Sequence, residues 1–465
     1  MSDRLIRFDG GTLVLEGFSP SELPPDARLD PRIGLHRAPA SAYAPLVLAM
    51  HRTRTPVRDE ARRYAALDRD WSGERAPRPF QTEALAAWRA AGRRGVVVLP
   101  TGAGKSFVAE LAIRDANRSA LVVAPTLDLV GQWWSQLRRA FGDPVGVVGG
   151  GAHEVADLTV TTYDSAWLQM PRFGDRFGLV VFDEVHHLPA PSYAAAAQMA
   201  IAPFRLGLTA TLERPDGGHL ALEGLVGPVV YRREIQELAG EYLAEYRTEC
   251  LTVSLTPEER AGYDTARARF RAQVDALGAS LGGAGFQAFL RQSARTPEGR
   301  DALRAWRESR AILQRSVNKL RALESLLARH HHQRVIVFTA DNASVYEIAR
   351  RFLVPALTHR TEVRERRQIL EAFASGALPV VVTSRVLNEG VDVPSAEVAV
   401  VLSGSATVRE HVQRLGRILR RSGDKQAVLY ELVVGETAEE GASRRRRDHD
   451  AYRPRGVGSA GTRAN

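Results

Sequence analysis

Lys105 and Ser106 close the stretch Leu99-Pro100-Thr101-Gly102-Ala103-Gly104-Lys105-Ser106, a glycine-rich turn between the apolar run Val96 to Leu99 and the helical stripe Phe107, Val108, Leu111 and Ala112. Glycines placed where a strand passes into a helix let backbone N–H groups converge on a phosphate, and the helix N-terminus adds to the attraction. Thr101, Gly102, Ala103, Gly104, Lys105 and Ser106 therefore read as a nucleotide cradle, in which the Lys105 ammonium reaches the β- and γ-phosphates and the Ser106 hydroxyl binds Mg²⁺. Leu99 stands where the strict pattern has glycine. Composition favours the reading all the same. Of 63 lysines and arginines only Lys105, Lys319 and Lys425 are lysine, and one of them falls where a compact ammonium on a flexible stem suits a phosphate.

Farther along, Val180-Val181-Phe182-Asp183-Glu184-Val185-His186-His187 sets two adjacent carboxylates just after an apolar strand. Asp183 at the strand end can hold Mg²⁺, directly or through water, and Glu184 can accept a proton from an attacking water. Phosphoryl transfer needs that division, because one group gathers charge while the other orients the nucleophile. His186-His187 and His330-His331-His332 invite a metal reading, but the first pair belongs to the acidic motif and the triple has no cysteine partners. Both read as surface or polar-network histidines.

These groups need a scaffold, and the flanking sequence supplies one. Phe80 to Ala91 has helical periodicity, and the runs around Leu121, Leu158, Leu179 and Phe204 to Leu208 read as buried strands separated by helical segments. Such alternation implies a parallel sheet with helices on both faces, whose ligands bind at the carboxyl ends of the strands. A second alternation follows through Val335 to Phe338, Val380 to Val382, Val398 to Leu402 and Val428 to Tyr430. Between the two lies an arginine-rich helical stretch, opened by the capping box Thr256-Pro257-Glu258-Glu259 and ending in one helix that carries Leu303, Trp306, Leu313, Val317, Leu320, Leu323 and Leu327. Ahead of everything, Asp9-Gly10-Gly11 between two alternating apolar stretches predicts a hairpin in a small N-terminal module.

The expected fold class is thus α/β, with a small N-terminal α+β module over 1–75, a first parallel-sheet domain over 76–235 and a second over 236–440. The helical insertion spans about 256–320 of the second domain, and a basic disordered tail occupies 441–465. A net charge of +9 favours a polyanionic partner. Cys250 is the only cysteine, which excludes an intrachain disulfide and a cysteine-based zinc site. No apolar run approaches the ~20 residues that span a bilayer, and Met1-Ser2-Asp3-Arg4 opens no signal pattern, so a cytoplasmic, nucleoid-associated protein with no membrane partner is expected.

Asp183-Glu184-Val185-His186, Leu208-Thr209-Ala210-Thr211 and Gln413-Arg414-Leu415-Gly416-Arg417-Ile418-Leu419-Arg420, in this order, resemble the motifs of superfamily 2 helicases. More narrowly, Phe182 to Pro189, Ala202 to Thr211 and Gln413 to Arg420 resemble XPB-type DNA repair helicases of archaeal and bacterial kind. The resemblance runs from about Arg78 to Leu432 and implies two tandem RecA-like domains with a helical thumb in the second. It also implies an ATP- and Mg²⁺-dependent DNA translocase or helicase with 3′→5′ polarity, acting in repair on single-stranded or forked duplex DNA. A nuclease partner and a monomeric state go with it. A superfamily 2 RNA helicase and an ATP-switched DNA-binding platform that recruits a nuclease are the alternatives.

Position by position, the resemblance gives Arg78 and Gln81 to adenine, and Thr209 and Thr211 to the coupling of nucleotide state with domain movement. Gly390 and Asp392, within Asn388 to Pro394, go to nucleotide and strand contact. Gln413, Arg417 and Arg420 go to the γ-phosphate from the second domain across an interdomain cleft. Thr126, Thr161, Thr162 and Tyr163 in the first domain, and Thr339, His359, Arg360 and Thr361 in the second, line the implied nucleic-acid path. The family's Arg-Glu-Asp wedge loop stands here as Arg214-Pro215-Asp216, and proline removes both a charge and an N–H. ATP hydrolysis should therefore outlast efficient strand separation. On a forked duplex Pro215→Glu should unwind faster than the wild type at equal ATPase rate; equal unwinding would remove the loop's role.

Overall fold

The computed structural model describes residues 4–212, 217–238, 241–242, 245–276, 293, 296–384, 396–402 and 426–447, and strand counts refer to these. They divide into two compact units that part after Arg233, with Thr101–Ala103 grouped with the second unit.

The first unit opens with a five-stranded sheet of β1 (Arg4–Asp9), β2 (Thr12–Glu16), β3 (Arg28–Asp30), β4 (Leu35–Pro39) and β5 (Val57–Asp59), backed by α1 (Tyr43–Arg52). β1 and β2 form the predicted hairpin, with Asp9 paired to Thr12 across Gly10-Gly11. Both glycines have positive φ, +58° and +85°, as a tight twisted turn requires. A Cβ on Gly11 would also stand 2.6 Å from Met199 Cγ, so the turn is pressed against the body of the unit. Ile201 from that body completes the module's core beside Ile6, Leu13, Leu15 and Leu46.

The body follows as α2 (Pro79–Ala90), β6 (Arg94–Val98), α3 (Lys105–Ala116), β7 (Ala120–Ala124), α4 (Leu127–Phe141), β8 (Val145–Gly149), β9 (Ala152–His153) and β10 (Leu158–Thr162). It continues through α5 (Tyr163–Phe173), β11 (Leu179–Asp183), α6 (Pro191–Gln198), β12 (Phe204–Thr209), α7 (Leu222–Leu225) and β13 (Val229–Arg232). The sheet order is β13-β6-β12-β11-β7-β10-β8-β9, parallel except for the terminal pair β8 and β9. Its central strands are apolar along their length because helices cover both faces.

The second unit comprises α8 (Ile235–Leu238), β14 (Glu245–Val253), α9 (Pro257–Ala276), α10 (Pro297–Gln314), α11 (Val317–Arg329), β15 (Val335–Phe338), α12 (Asn342–Phe352) and β16 (Ala356–Leu357). It ends in α13 (Val363–Ser375), β17 (Val380–Thr383), β18 (Val398–Val401), β19 (Gln426–Val434) and α14 (Ala438–Arg447). All pairings in its sheet, β14-β19-β18-β15-β17-β16, are parallel. The capping box at α9 forms as expected: Thr256 N–H donates to Glu259 Oε2, and Glu259 N–H donates to Thr256 Oγ1.

Two expectations change here. The single helix expected through Leu303 to Leu327 is two, α10 and α11, broken at Arg315-Ser316, and the first free N–H of α11, on Val317, donates to Glu259 Oε1 at 2.8 Å. One carboxylate thus caps two helices. The basic run Arg444 to Arg447, expected within a disordered tail from residue 441, continues α14. That helix is tied down because buried Ser443 donates to the buried Glu431 carboxylate and Glu439 accepts from Lys319. Among the described residues no helix is long and apolar enough to cross a membrane.

Lys319 has no exposed surface, and its Nζ donates to Leu402 O at 2.6 Å and to both Glu439 oxygens at 2.7 and 2.9 Å. Removing one partner of such a pair strands a buried charge. Lys319→Met should destabilise the second unit by about 3 kcal/mol in urea unfolding, and Lys319→Met with Glu439→Leu should recover most of it.

Candidate nucleotide and nucleic-acid site

The carboxyl ends of five adjacent parallel strands hold most of the candidate residues of the first unit. Leu99, just past β6, donates its N–H to Thr209 O at the end of β12, and Asp183 ends the neighbouring β11. Thr126 follows β7 and Thr162 ends β10. The phosphate loop and Asp183 are therefore two strands apart, about 10 Å at ordinary strand spacing, and the threonines lie farther along the same edge.

The loop has the backbone that its glycines predict. Gly102 and Gly104 have φ of +87° and +82°, and Gly104 is the residue from which α3 starts, with Lys105 and Ser106 in its first turn. A Cβ on Gly104 would stand 2.7 Å from Gln81 Nε2. Gln81 is fully buried, and its Oε1 accepts the Arg78 N–H at 3.0 Å in a capping box at the start of α2. The amide expected to meet adenine thus also props the phosphate loop. Thr101 Oγ1 is buried without a hydrogen-bond partner.

At the acidic pair, Asp183 is 8 % exposed, and each of its oxygens takes one N–H: Oδ1 from Glu184 N at 3.0 Å and Oδ2 from the Trp133 indole at 2.8 Å. Burial pushes its carboxyl up to about 6, with the Glu184 charge adding to the rise and the Trp133 N–H and Lys105 ammonium opposing it. Glu184 sits in the left-handed region, φ +46° and ψ +53°, a conformation that costs a non-glycine residue about 1 kcal/mol or more. Its Oε2, buried without a hydrogen bond, is 3.4 Å from His186 Nδ1.

His186 joins the acidic pair to the Thr209-Thr211 turn. Thr209 Oγ1 donates to Thr211 O at 2.8 Å and accepts from Thr211 N at 3.2 Å, and His186 Nδ1 lies 3.0 Å from the same oxygen. With the hydroxyl proton spent on Thr211, His186 is the donor, which fixes its tautomer. His330, likewise in a polar network, contacts the Tyr430 hydroxyl at 3.0 Å and Gln333 at 2.6 Å.

The nucleic-acid candidates divide by burial. Thr161 Oγ1 donates to Val148 O, and the Tyr163 hydroxyl donates to Asp183 O, both at 2.8 Å. Thr339 Oγ1 donates to Asp341 O at 2.9 Å. All three side chains are buried and their hydroxyls bond within the protein, as an inward hydroxyl must. Thr162 caps α5 through Ser165 N and is nearly enclosed. Thr126, which caps α4, stays half exposed, as does Thr361, while His359 and Arg360 are exposed on the turn after β16. Arg214, Asp216, Gly390, Asp392, Gln413, Arg417 and Arg420 lie outside the described residues.

Comparison with known proteins bears on this arrangement. Residues 6–61 match the Xeroderma pigmentosum group B helicase damage recognition domain, 74–214 the type III restriction enzyme res subunit family, and 318–422 the helicase conserved C-terminal domain. The DNA 3′-5′ translocase XPB2 of Sulfurisphaera tokodaii is 43% identical over 80% of this chain and 84% of its own length. The chain belongs to the XPB family of superfamily 2 helicases. The DNA 3′-5′ helicase XPB of Kineococcus radiotolerans is 30% identical over 83% of this chain, which spans 63% of that relative's length. The Pyrococcus furiosus Hef helicase domain superposes with a TM-score of 0.52 at 18% identity, covering 80% of this chain and 98% of that one, a likeness of fold. The two parallel-sheet units of this XPB-family chain are accordingly tandem RecA-like domains.

The sequence reading passed over both Trp133 and Gln136, yet both bond into the site. The available signal was a polar tip on an otherwise apolar residue, since a buried indole N–H needs an acceptor.

A carboxyl raised from 3.8 to about 6 contributes stability that is fully present below pH 3.8 and lost as pH rises through 6. At pH 8 the protein without metal therefore carries the whole cost of the buried charge. Asp183→Asn should be more stable than the wild type at pH 8, by on the order of 2 kcal/mol, and the gap should narrow as pH falls through 6 and be lost only below about pH 4 in parallel thermal unfolding scans.

Proposed function

We propose that this chain is an ATP-dependent DNA translocase and helicase of the XPB type, moving 3′→5′ on single-stranded or forked DNA in repair. The observation that carries the reading is the shared strand edge, where the glycine-rich loop, the Asp183-Glu184 pair and the Thr209-Thr211 turn are joined through Leu99 and His186. The family's named 3′-5′ translocases and helicases support the activity and its direction.

The residues present fit a magnesium nucleotide: an unbonded buried hydroxyl on Thr101, a serine at the helix start and a buried carboxylate offer oxygen donors next to a lysine. In the proposed roles Ser106 and Asp183 hold Mg²⁺, which when bound offsets the charge of the β- and γ-phosphates. Thr101 to Ser106 wrap the phosphates, with Lys105 pairing their charge, and Arg78 and Gln81 contact adenine. Glu184 takes the proton of the attacking water, held in place by its left-handed backbone. Gln413, Arg417 and Arg420 stabilise charge developing on the γ-phosphate, Gly390 and Asp392 contact nucleotide and strand, and Arg214 and Asp216 meet DNA.

Thr209, bonded both to His186 and to Thr211, senses a shift at Glu184 and passes it to the turn that follows. Thr126, His359, Arg360 and Thr361 meet the DNA backbone, where bonding to phosphates gives register without reading sequence. A monomer working with a nuclease partner completes the proposal.

ATP hydrolysis measured with DNA and RNA of equal length tests it. DNA should stimulate turnover well above RNA, and Lys105→Ala and Glu184→Gln should each remove about 100-fold or more of the stimulated rate. Equal stimulation by RNA would transfer the reading to an RNA helicase, and tight ATP binding that DNA barely accelerates would favour the nuclease-recruiting platform.

A further inference from the structure

α4 packs on β7, β8 and β10 and touches α3, and side chains of one of its faces reach both the phosphate-loop helix and the end of β11. Trp133 on that face is 2 % exposed, and its indole N–H is 2.8 Å from Asp183 Oδ2. One turn on, Gln136 Nε2 donates to Ser106 O at 3.2 Å and to Glu110 Oε2 at 2.9 Å. Glu110, itself buried on α3, accepts on its other oxygen from the Trp71 indole at 2.8 Å. Positions i and i+3 of one helix therefore bond to the two residues assigned to the metal, to a carboxylate at one and to the backbone at the other.

The chemistry of these contacts is uneven. Burial alone would be met by a phenylalanine at 133. An indole adds a single N–H in a fixed direction, and here it meets one oxygen while Glu184 N–H meets the other. With one donor on each oxygen the carboxylate plane has a single orientation, and lone pairs remain on both oxygens for a cation. An unbraced aspartate at a strand end would sample other rotamers and meet the cation less often.

We propose that Trp133 is a positioning residue of the metal-nucleotide site, orienting Asp183 through its indole N–H, with Gln136 holding the Ser106 backbone from the same helix face. The inference rests on the nucleotide reading above. It assigns to α4 a task separate from the one at its start, where Thr126 faces the strand edge.

The test is binding of a fluorescent ADP analogue carrying a methylanthraniloyl group, titrated with Mg²⁺ and again with EDTA. The proteins are the full chain, Trp133→Phe, and a version with Trp133 replaced by 3-benzothienylalanine, which keeps the ring's size and exchanges the N–H for sulfur. Trp134→Phe is the control, because its neighbouring indole donates to Val145 O at 3.0 Å, away from Asp183. Loss of the N–H should cut the Mg²⁺-dependent gain in affinity about tenfold or more in both Trp133 variants, leaving the metal-free affinity of the benzothienyl protein as in the wild type. A benzothienyl protein with the full Mg²⁺-dependent gain would overturn the proposal, as would equal losses with and without metal. If the wild type itself gained nothing from Mg²⁺, or Lys105→Ala bound as tightly as the wild type, the nucleotide reading would fall first and take this one with it.

Discussion

A carboxylate almost without water around it has to be kept charged and aimed, and much of the first unit is arranged to do so. Asp183 ends a wholly buried strand, where desolvation favours the neutral acid. Three features oppose that tendency, the Glu184 N–H on one oxygen, the Trp133 N–H on the other and the nearby Lys105 ammonium, while the Tyr163 hydroxyl bonds the residue's own carbonyl. Each comes from a different element, and each element is placed by the parallel sheet. The strained backbone of Glu184 belongs to the same arrangement, since the chain turns sharply after β11 and brings two successive carboxylates to different neighbours, Asp183 to Trp133 and Glu184 to His186.

Lysine use in an arginine-rich chain takes on a wider meaning in the same light. Lys105 stands at the phosphate loop, as its chemistry suggests, but Lys319 occupies an enclosed structural pair with Glu439 and the Leu402 carbonyl. Both positions call for a compact charge on a flexible stem. A phosphate is one way to satisfy that condition, and a buried carboxylate with a carbonyl is another.

How much was legible in the sequence depended on how one-sided each segment's surroundings are. Val335 to Phe338 is buried along its whole length and reads as an unbroken apolar run. Glu245 to Val253 is an edge strand whose outer side meets solvent, and its mixture of Arg247, Thr248, Glu249 and Thr252 gave no such run, so it went unread. The turn at Gly10-Gly11, the capping box at Thr256 and the strand-to-helix passage at Lys105 were legible because each rests on local backbone chemistry. The break between α10 and α11 was not, because the carboxylate that caps the second helix is Glu259, distant in sequence. Burial decided the rest: nothing local distinguishes Thr161 or Tyr163, with inward hydroxyls, from Thr126, which stays at the surface.

The N-terminal sheet borrows Ile201 for its core, and its hairpin turn has no room for a side chain against Met199. Those two residues follow α6 and lead directly into β12, the strand whose last residue is Thr209. The module is thus bolted to the segment that feeds the coupling turn, and it cannot behave as a bead on a string. A displacement of the small sheet would therefore reach β12 at its base, so the module and the strand that ends in Thr209 move as one piece.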